Sequence, residues 1–390
     1  MAGIVESTLI ADPTPDPMST DPKEPVSSTR TTPELLLGNI TAARFRTWYQ
    51  ERKYTQNIEA GTPYFNNAGF QPDPEQHSPS KLLRCHRRLF YQDNNAPEEE
   101  PDPEGIFWVG SKFEEEIVFP FLKREADNHD AYVQNSIWVD YSIETPAGDV
   151  QIKGTTDPVI VDEDAVPILP TEIKTKNSLS SVSSPNRTHR AQLHAYLVGL
   201  SKKFDVDLTT GVILYGSRQS FDVKVFRVEF DASFWTDEVL NWATEHTQYR
   251  ISDDLPLAEP EVEWECNFCS YRERCGEGER HTSDSGTTGL LTRYTGYPRE
   301  KLVEYLEVYP EAKLTPSLAF EHPDLSAKFG VYDWQCKRCD NTYEWDVPEW
   351  GGDVTQPPRC PDCFEGGLIE LLCGPAPDDQ VIGGEIHAAE

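Results

Sequence analysis

Gly154-Thr155-Thr156-Asp157 and, fifteen positions beyond that aspartate, Glu172-Ile173-Lys174 are the residues on which the fold turns. Apolar residues flank both: Val159, Ile160 and Val161 after the first, Ile168 and Leu169 before the second. Side chains alternate along a strand, so Glu172 and Lys174 point to one face while Ile173 points into a core. Charges on a strand that is otherwise buried need partners or a metal ion. An Asp from the neighbouring strand that meets Glu172 makes a carboxylate pair, an oxygen ligand set suited to Mg²⁺ or Mn²⁺. Lys174 beside it can orient a water or stabilise charge on a phosphate.

The pattern extends on both sides. The stretch Ser78–Tyr91, with Cys85 inside it, reads as a helix capped near Ser80. An acidic, Pro-containing loop follows over 94–104, then a longer helix from Phe107 to about Ala126 with Phe113, Ile117, Val118 and Phe121 on its apolar face. The period then changes to that of strands, over 131–143, 150–161 and 166–176. A helix over 186–200, strands over 211–215 and 223–230, and a helix over about 233–251 complete the core. Strand runs flanked by helices predict an α/β core with a mixed central sheet.

Gln192 and Tyr196 stand one helical turn apart on the helix after the Glu-x-Lys strand, within a basic segment holding Arg187, His189 and Arg190. With Asp157, Glu172-Ile173-Lys174 and Gln192-x-x-x-Tyr196 in this order, the chain resembles the RecB-like nucleases of the PD-(D/E)xK superfamily. The resemblance covers roughly residues 78–278. It implies a restriction-endonuclease-like core. It implies Asp157, Glu172 and Lys174 as the catalytic set, and Asp157, Glu172 and the Ile173 carbonyl as ligands of Mg or Mn. It also implies DNA contacts from Gln192 and Tyr196, with Arg187 and Arg190 alongside. Relatives often carry a metal-binding His before the sheet, in a Gly-x-x-x-His context. Here Gly110-Ser111-Lys112-Phe113-Glu114 puts Glu114 at that place, as a further hard-metal ligand.

Eight of nine cysteines fall into two sets of four; Cys373 is left over. Cys266-x₂-Cys269-x₅-Cys275 alone suits zinc or an iron–sulfur cluster equally. Cys85, far upstream, decides through the resemblance: the iron–sulfur branch of these nucleases, including the CRISPR-associated exonuclease family and the AddB-type helicase–nuclease, carries one Cys before the core and three after it. That implies a [4Fe–4S] staple at Cys85, Cys266, Cys269 and Cys275. Arg84, His86, Arg87 and Arg88 beside Cys85 read either as a basic rim for a strand of DNA or as a basic helix face paired with the acidic surface. Cys336-x₂-Cys339-x₂₀-Cys360-x₂-Cys363 is a separate pair of knuckles with zinc-ribbon spacing. Trp334, Tyr343, Trp345 and Trp350 are its expected small core. The CRISPR-associated family does not usually carry this ribbon, which weakens assignment to that pathway.

The expected organisation is a disordered segment 1–40, a nuclease domain 41–280, a linker with a short helix (Arg299–Val308) over 281–330, a zinc ribbon 331–373 and a disordered tail 374–390. Net charge is −32, from 67 acidic and 35 basic residues spread along the chain. An ordinary nucleic-acid binder is basic. The even spread instead reads as a solvated coat for a halophilic, high-salt cytoplasm, where the Debye length shrinks to ~3 Å. No stretch is long and apolar enough to span a membrane, and Met1–Pro17 has neither part of a secretion signal, so a cytoplasmic protein is expected. Two functions compete. One is a metal-dependent DNA nuclease, acting as an exonuclease on single-stranded ends in CRISPR adaptation or DNA repair, with protein contacts through the ribbon. The other is a non-catalytic iron–sulfur/zinc DNA-binding scaffold of such a complex.

Overall fold

The computed structural model describes residues 33–59, 71–101, 103–146, 148–260, 262–279 and 286–382. Residues 1–32 and 383–390, expected to be disordered, lie outside these. The chain divides into two compact units, residues 1–66 and 67–390. In the first, helix α1 (Pro33–Asn39) falls where the sequence predicts disorder as far as residue 40, and α2 (Ala42–Glu59) follows it. Thr41 starts α2, its hydroxyl accepting from the Arg44 N–H at 3.3 Å.

The second unit begins with β1 (Gln76–His77), a 3₁₀ turn over Pro79–Lys81 and α3 (His86–Asp93). Cys85 caps α3 instead of lying inside a longer helix, because Leu83 adopts a left-handed φ of 59° that no helix continues through. Next comes α4 (Glu104–Phe113), which runs through a π-helical turn (Glu114–Val118) into α5 (Phe119–Asp127). The π turn adds residues to the helical repeat and moves the inward stripe. Phe113, Val118 and Leu122 are therefore buried, while Ile117 and Phe121, expected inside, are about half exposed.

The strands are β2 (Tyr132–Gln134), β3 (Trp138–Thr145), β4 (Gly148–Thr155), β5 (Val159–Val161) and β6 (Pro167–Lys176), then helix α6 (Arg187–Phe204), then β7 (Thr210–Ser217) and β8 (Val223–Glu229). A π-helical segment (Phe234–Leu240) leads into α7 (Asn241–Ser252). They form a three-stranded sheet, β1-β4-β3, and a five-stranded sheet, β2-β5-β6-β7-β8, each mixing parallel and antiparallel pairs. The expected single strand over 150–161 breaks at Thr156–Pro158, where Pro158 can donate no ladder hydrogen bond and the chain crosses from one sheet to the other.

Helix α6 lies between the two sheets. Ala191, Ala195 and Leu200 pack with Val139, Tyr141 and Ile152 of the smaller sheet; Leu193, Tyr196 and Leu197 pack with Ile213, Tyr215 and Val228 of the larger. Gly199 permits this closeness, since a Cβ there would stand 2.7 Å from the Tyr141 ring. On the other face of the larger sheet, Phe113, Val118 and Leu122 cover Ile173 and Leu214. Gly216 leaves room for the Phe113 ring, which a Cβ would meet at 2.2 Å. The result is the mixed α/β architecture expected, with helices on both faces of the larger sheet.

A buried polar brace fixes α3, and so Cys85, against α7. Asp93 accepts from Lys81 at 2.9 Å and pairs with Arg250, whose other arm donates to the Gln76 carbonyl at 2.7 Å. Burial alone would raise the Asp93 pKa, but the His246 hydrogen bond and the Lys81 and Arg250 charges hold it well below the usual carboxylate range. A depressed carboxyl contributes stability that is complete above its unfolded pKa and lost as pH falls toward the folded one. Asp93→Asn is therefore expected to cost on the order of 3 kcal/mol at neutral pH, leaving buried cations unpaired, and to flatten the acid limb of stability against pH. Urea unfolding between pH 3 and 7 measures both.

Residues 286–330, expected to be a linker with one short helix, hold that helix and two more in a packed module. It comprises α8 (Arg299–Val308), α9 (Pro316–Glu321) and α10 (Pro323–Phe329), packed through Leu290, Leu302, Leu306, Leu314 and Leu318. The fully buried Arg274 guanidinium holds its start by donating to the carbonyls of Gly286 (2.8 Å), Thr288 (3.1 Å) and Gly289. Residues 375–382, part of the segment expected to fray, return to this module. Gln380 exchanges hydrogen bonds with the Leu290 backbone at 2.8 and 2.7 Å. Between them stand β9 (Trp334–Gln335), β10 (Thr342–Tyr343) and α11 (Pro361–Glu365) of the cysteine-rich unit. Trp334, Tyr343 and Trp350 pack around its cysteines as expected, whereas Trp345 packs on the helical module.

Candidate active site and cysteine centres

Strand register explains the site. Glu172 pairs with Ile213 and Lys174 with Tyr215, so both charged residues share the face of the sheet that α6 covers; Ile173, paired with Leu214, faces α4 and α5. Glu172 is 0% exposed, and its Oε1 forms an ion pair with Lys174 Nζ. Its Oε2 has no hydrogen-bond partner among the described residues.

Asp157 lies on the crossover from β4, two residues beyond its end, and not on a strand. Pro158 at this break cannot act as a donor, and the Asp157 carboxylate takes the place of a main-chain acceptor: its Oδ2 receives the Ile173 N–H at 2.6 Å. That bond brings Asp157 beside the Glu172–Lys174 pair. Glu114 comes from the π turn after α4, close enough for the charges of Asp157 and Lys174 to act on it and for its own to act on Glu172.

Electrostatics strain this cluster. Burial, then repulsion from Asp157, pushes Glu172 well above the carboxylate range; burial also raises Asp157. Burial and Asp157 together push Glu114 up to about 7. Lys174 would be depressed by burial, but the Glu172 and Asp157 carboxylates more than offset this and raise it. Glu172 contacts the Lys174 ammonium, while Asp157 and Glu114 act on it only through their charges, and the three carboxyls do not all lie within 4.8 Å of one another. One ammonium against three carboxyls leaves excess negative charge, with an unpaired oxygen at its buried centre. A divalent cation with oxygen ligands fits that deficit.

Gln192 and Tyr196 do not reach solvent. They are 6% and 1% exposed; the Gln192 amide donates to Tyr196 Oη at 2.7 Å, and Tyr196 Oη donates to the Thr155 carbonyl at 3.1 Å. Helix α6, which carries them, is enclosed by two sheets. They brace the crossover that carries Asp157. Arg187 and Arg190 are also engaged, by Glu238 at 2.6 Å and by Asp231 at 3.6 Å, and Arg190 lies over the Phe234 ring at 4.3 Å. A group the sequence reading missed lies next to Lys174: Tyr215 Oη accepts from the Asn186 N–H at 2.9 Å and sits 2.8 Å from His189 Nδ1. Its signal was a hydroxyl-bearing ring two positions from Ile213 on an otherwise apolar strand.

A family comparison follows this geometry closely. The model of the PD-(D/E)XK nuclease superfamily matches residues 53–276, more than half of the chain. The chain belongs to the PD-(D/E)XK nuclease superfamily. The match spans Asp157, Glu172 and Lys174 as well as Glu114. No curated protein matches the chain. Among solved structures, it is similar to SSO0001 at 17% identity and a TM-score of 0.36, over 57% of this chain and 93% of that one. It is also similar to Rai1 of Scheffersomyces stipitis at 16% identity and a TM-score of 0.17, over 32% and 34%. At these scores neither likeness carries an argument. No described helix is long and apolar enough to cross a membrane.

The superfamily domain brings its four cysteines to one place. Cys85, Cys266, Cys269 and Cys275 line a single cavity of about 310 Å³, which Lys174, Lys176, His189, Arg84 and Arg88 also line. Burial pushes the Cys269 and Cys275 thiols up to about 11, so they need a cationic centre to become thiolate ligands. The second quartet differs in spacing. Among the described residues, only Cys336, Cys339, Cys360 and Cys363 form a group whose ligand atoms lie within 4.8 Å of one another. Cys336 and Cys363 sulfurs are 3.7 Å apart, and Cys339 and Cys360 sulfurs 3.6 Å. Tetrahedral ligation at a Zn–S length of 2.3 Å requires sulfur edges of about 3.8 Å. Cys373 stays outside, its Sγ 3.6 Å from the Gln335 carbonyl.

Proposed function

We propose that this chain is a divalent-metal-dependent deoxyribonuclease that acts on single-stranded DNA ends. The observation that carries the reading is the fully buried Glu172 with an unpaired oxygen, set beside Asp157 and Lys174 on adjoining chain segments. Asp157, Glu172, Glu114 and the Ile173 carbonyl are the ligands proposed for Mg²⁺ or Mn²⁺, which would supply a polarised water and neutralise charge on the scissile phosphate. Lys174 orients the water or pairs with the phosphate oxygens. Gln192 and Tyr196 hold the Asp157 crossover in place. The reading is tested with end-labelled single-stranded and duplex DNA in Mn²⁺ and high salt. Progressive shortening from single-stranded ends is expected; no metal-dependent cleavage of either substrate contradicts it.

Cys85, Cys266, Cys269 and Cys275 are proposed to hold a [4Fe–4S] cluster, as in the iron–sulfur branch of RecB-like nucleases. What supports this is that the four cysteines, from the segment before the core and the segment after it, line one cavity of about 310 Å³. The second quartet is proposed to hold zinc, on its sulfur separations. One zinc per chain is expected by elemental analysis. Its removal by chelator is expected to unfold the ribbon and shift the emission of buried Trp334 to the red, while the nuclease sheets keep their circular dichroism. Roles in CRISPR adaptation or DNA repair, and protein contacts through the acidic ribbon, follow from the same reading. The charge of −32 is read as a coat suited to high salt.

A further inference from the structure

Gln192 and Tyr196 are buried and Arg187 and Arg190 pair with acids, and a strand that reaches the site first meets an exposed surface. Helix α4 offers one. Ile106, Phe107 and Trp108 are 51, 65 and 52% exposed on consecutive positions, and this helix buries only Phe113. Adjacent exposed aromatics contribute little to the fold and mark a contact surface.

Helical spacing relates them to the candidate metal site. At 3.6 residues per turn, Phe107, Gly110, Ser111 and Glu114 share one face. The middle of that face passes the end of β6, since a Cβ on Gly110 would lie 3.9 Å from Thr175 Oγ1, the residue after Lys174. Seven residues at 1.5 Å each place Phe107 about 10 Å along the helix axis from Glu114. Lys174 also lines the cavity of the first cysteine quartet, where Lys176, Arg84, Arg88 and Arg272 outnumber Glu265 and Glu277, within a chain of net charge −32. Glu114 thus ties the helix of the aromatic pair to the carboxylate cluster, and Lys174 ties that cluster to a cavity lined with cations. That combination suits a single strand, whose phosphates take the cations and whose unpaired bases stack on rings.

We infer that Phe107 and Trp108 form a stacking ledge for the bases of single-stranded DNA as it enters the carboxylate site. This rests on the nuclease reading and names the part of the surface that selects unpaired over paired substrate. A duplex, whose bases are already stacked, gains nothing from the ledge.

The test is fluorescence anisotropy of the full chain with a labelled oligothymidylate, Ca²⁺ replacing Mn²⁺, beside competition by closed-circular duplex. The double variant Phe107→Ala/Trp108→Ala is expected to bind the oligonucleotide about tenfold more weakly, with duplex binding unchanged. Phe107→Tyr/Trp108→Tyr, which keeps the rings, is expected to bind as the wild type does. Unchanged oligonucleotide affinity in the alanine pair, or an equal loss in the tyrosine pair, overturns the ledge. A wild type that binds the oligonucleotide through these rings but cleaves nothing in Mn²⁺ overturns the nuclease reading and leaves the ledge standing.

Discussion

Lys174→Ala is expected to lower Mn²⁺-dependent DNA cleavage by about 10³-fold while Mn²⁺ binding is retained. Lys174 is the one cation paired within the carboxylate cluster, and its ammonium group contacts Glu172 on the same face of β6. Removing it deletes the charge that meets the phosphate but leaves every proposed metal ligand in place. It also leaves Glu172 buried with neither oxygen paired, so the metal-free variant is expected to be less stable than wild type by about 1–3 kcal/mol. Added Mn²⁺ should then stabilise the variant more than it stabilises wild type, because the ion restores the missing positive charge. Thermal melts with and without Mn²⁺, beside the cleavage assay, resolve these three effects. Loss of metal binding together with cleavage would instead mean that Lys174 only supports the folding of the site.

Cys85→Ser is expected to abolish the cluster and to lower stability by several kcal/mol. Cys85 caps α3, and its proposed partners begin about 180 residues later at Cys266, across the whole nuclease core. Closing a loop of that length costs an unfolded chain on the order of 4 kcal/mol in (3/2)RT ln n alone, and a cluster that spans it restores a comparable amount to the folded state. Wild type is therefore expected to be brown, with about four irons per chain and absorbance near 400 nm. The variant is expected to be colourless, to retain its single zinc and to melt at a much lower temperature. A colourless wild type carrying two zinc ions would reassign the first quartet without touching the argument for the nuclease site.

Much of this was legible because local signals agreed with tertiary ones. The Glu-x-Lys alternation, with apolar flanks, set the face of β6, and the Arg299–Val308 helix has the bounds its periodicity predicts. The cysteine knuckles at residues 336–363 declared themselves by spacing. What stayed hidden depends on distant contacts. Gln192 and Tyr196 look like a surface pair on one helical face, and only the presence of sheets on both sides of α6 shows them to be buried. Leu83's left-handed backbone and the π turn before α5 shift Cys85 and the Phe113 stripe from where a regular helix would put them. The module after residue 286 joins the periodic stripe of α8 (Leu302, Tyr305, Leu306) to apolar residues such as Leu290, Leu291 and Leu314 that lie outside helices and show no period of their own.

A Mn²⁺ titration by calorimetry, on wild type, Glu172→Gln and Asp157→Asn, most directly tests whether these carboxylates meet at one cation. Asn at 157 can still accept the Ile173 N–H, so this variant changes charge more than shape. The prediction is saturable Mn²⁺ binding in wild type, weakened at least about tenfold in each variant, with cleavage lost in parallel. Full Mn²⁺ affinity and cleavage in both variants would contradict the site.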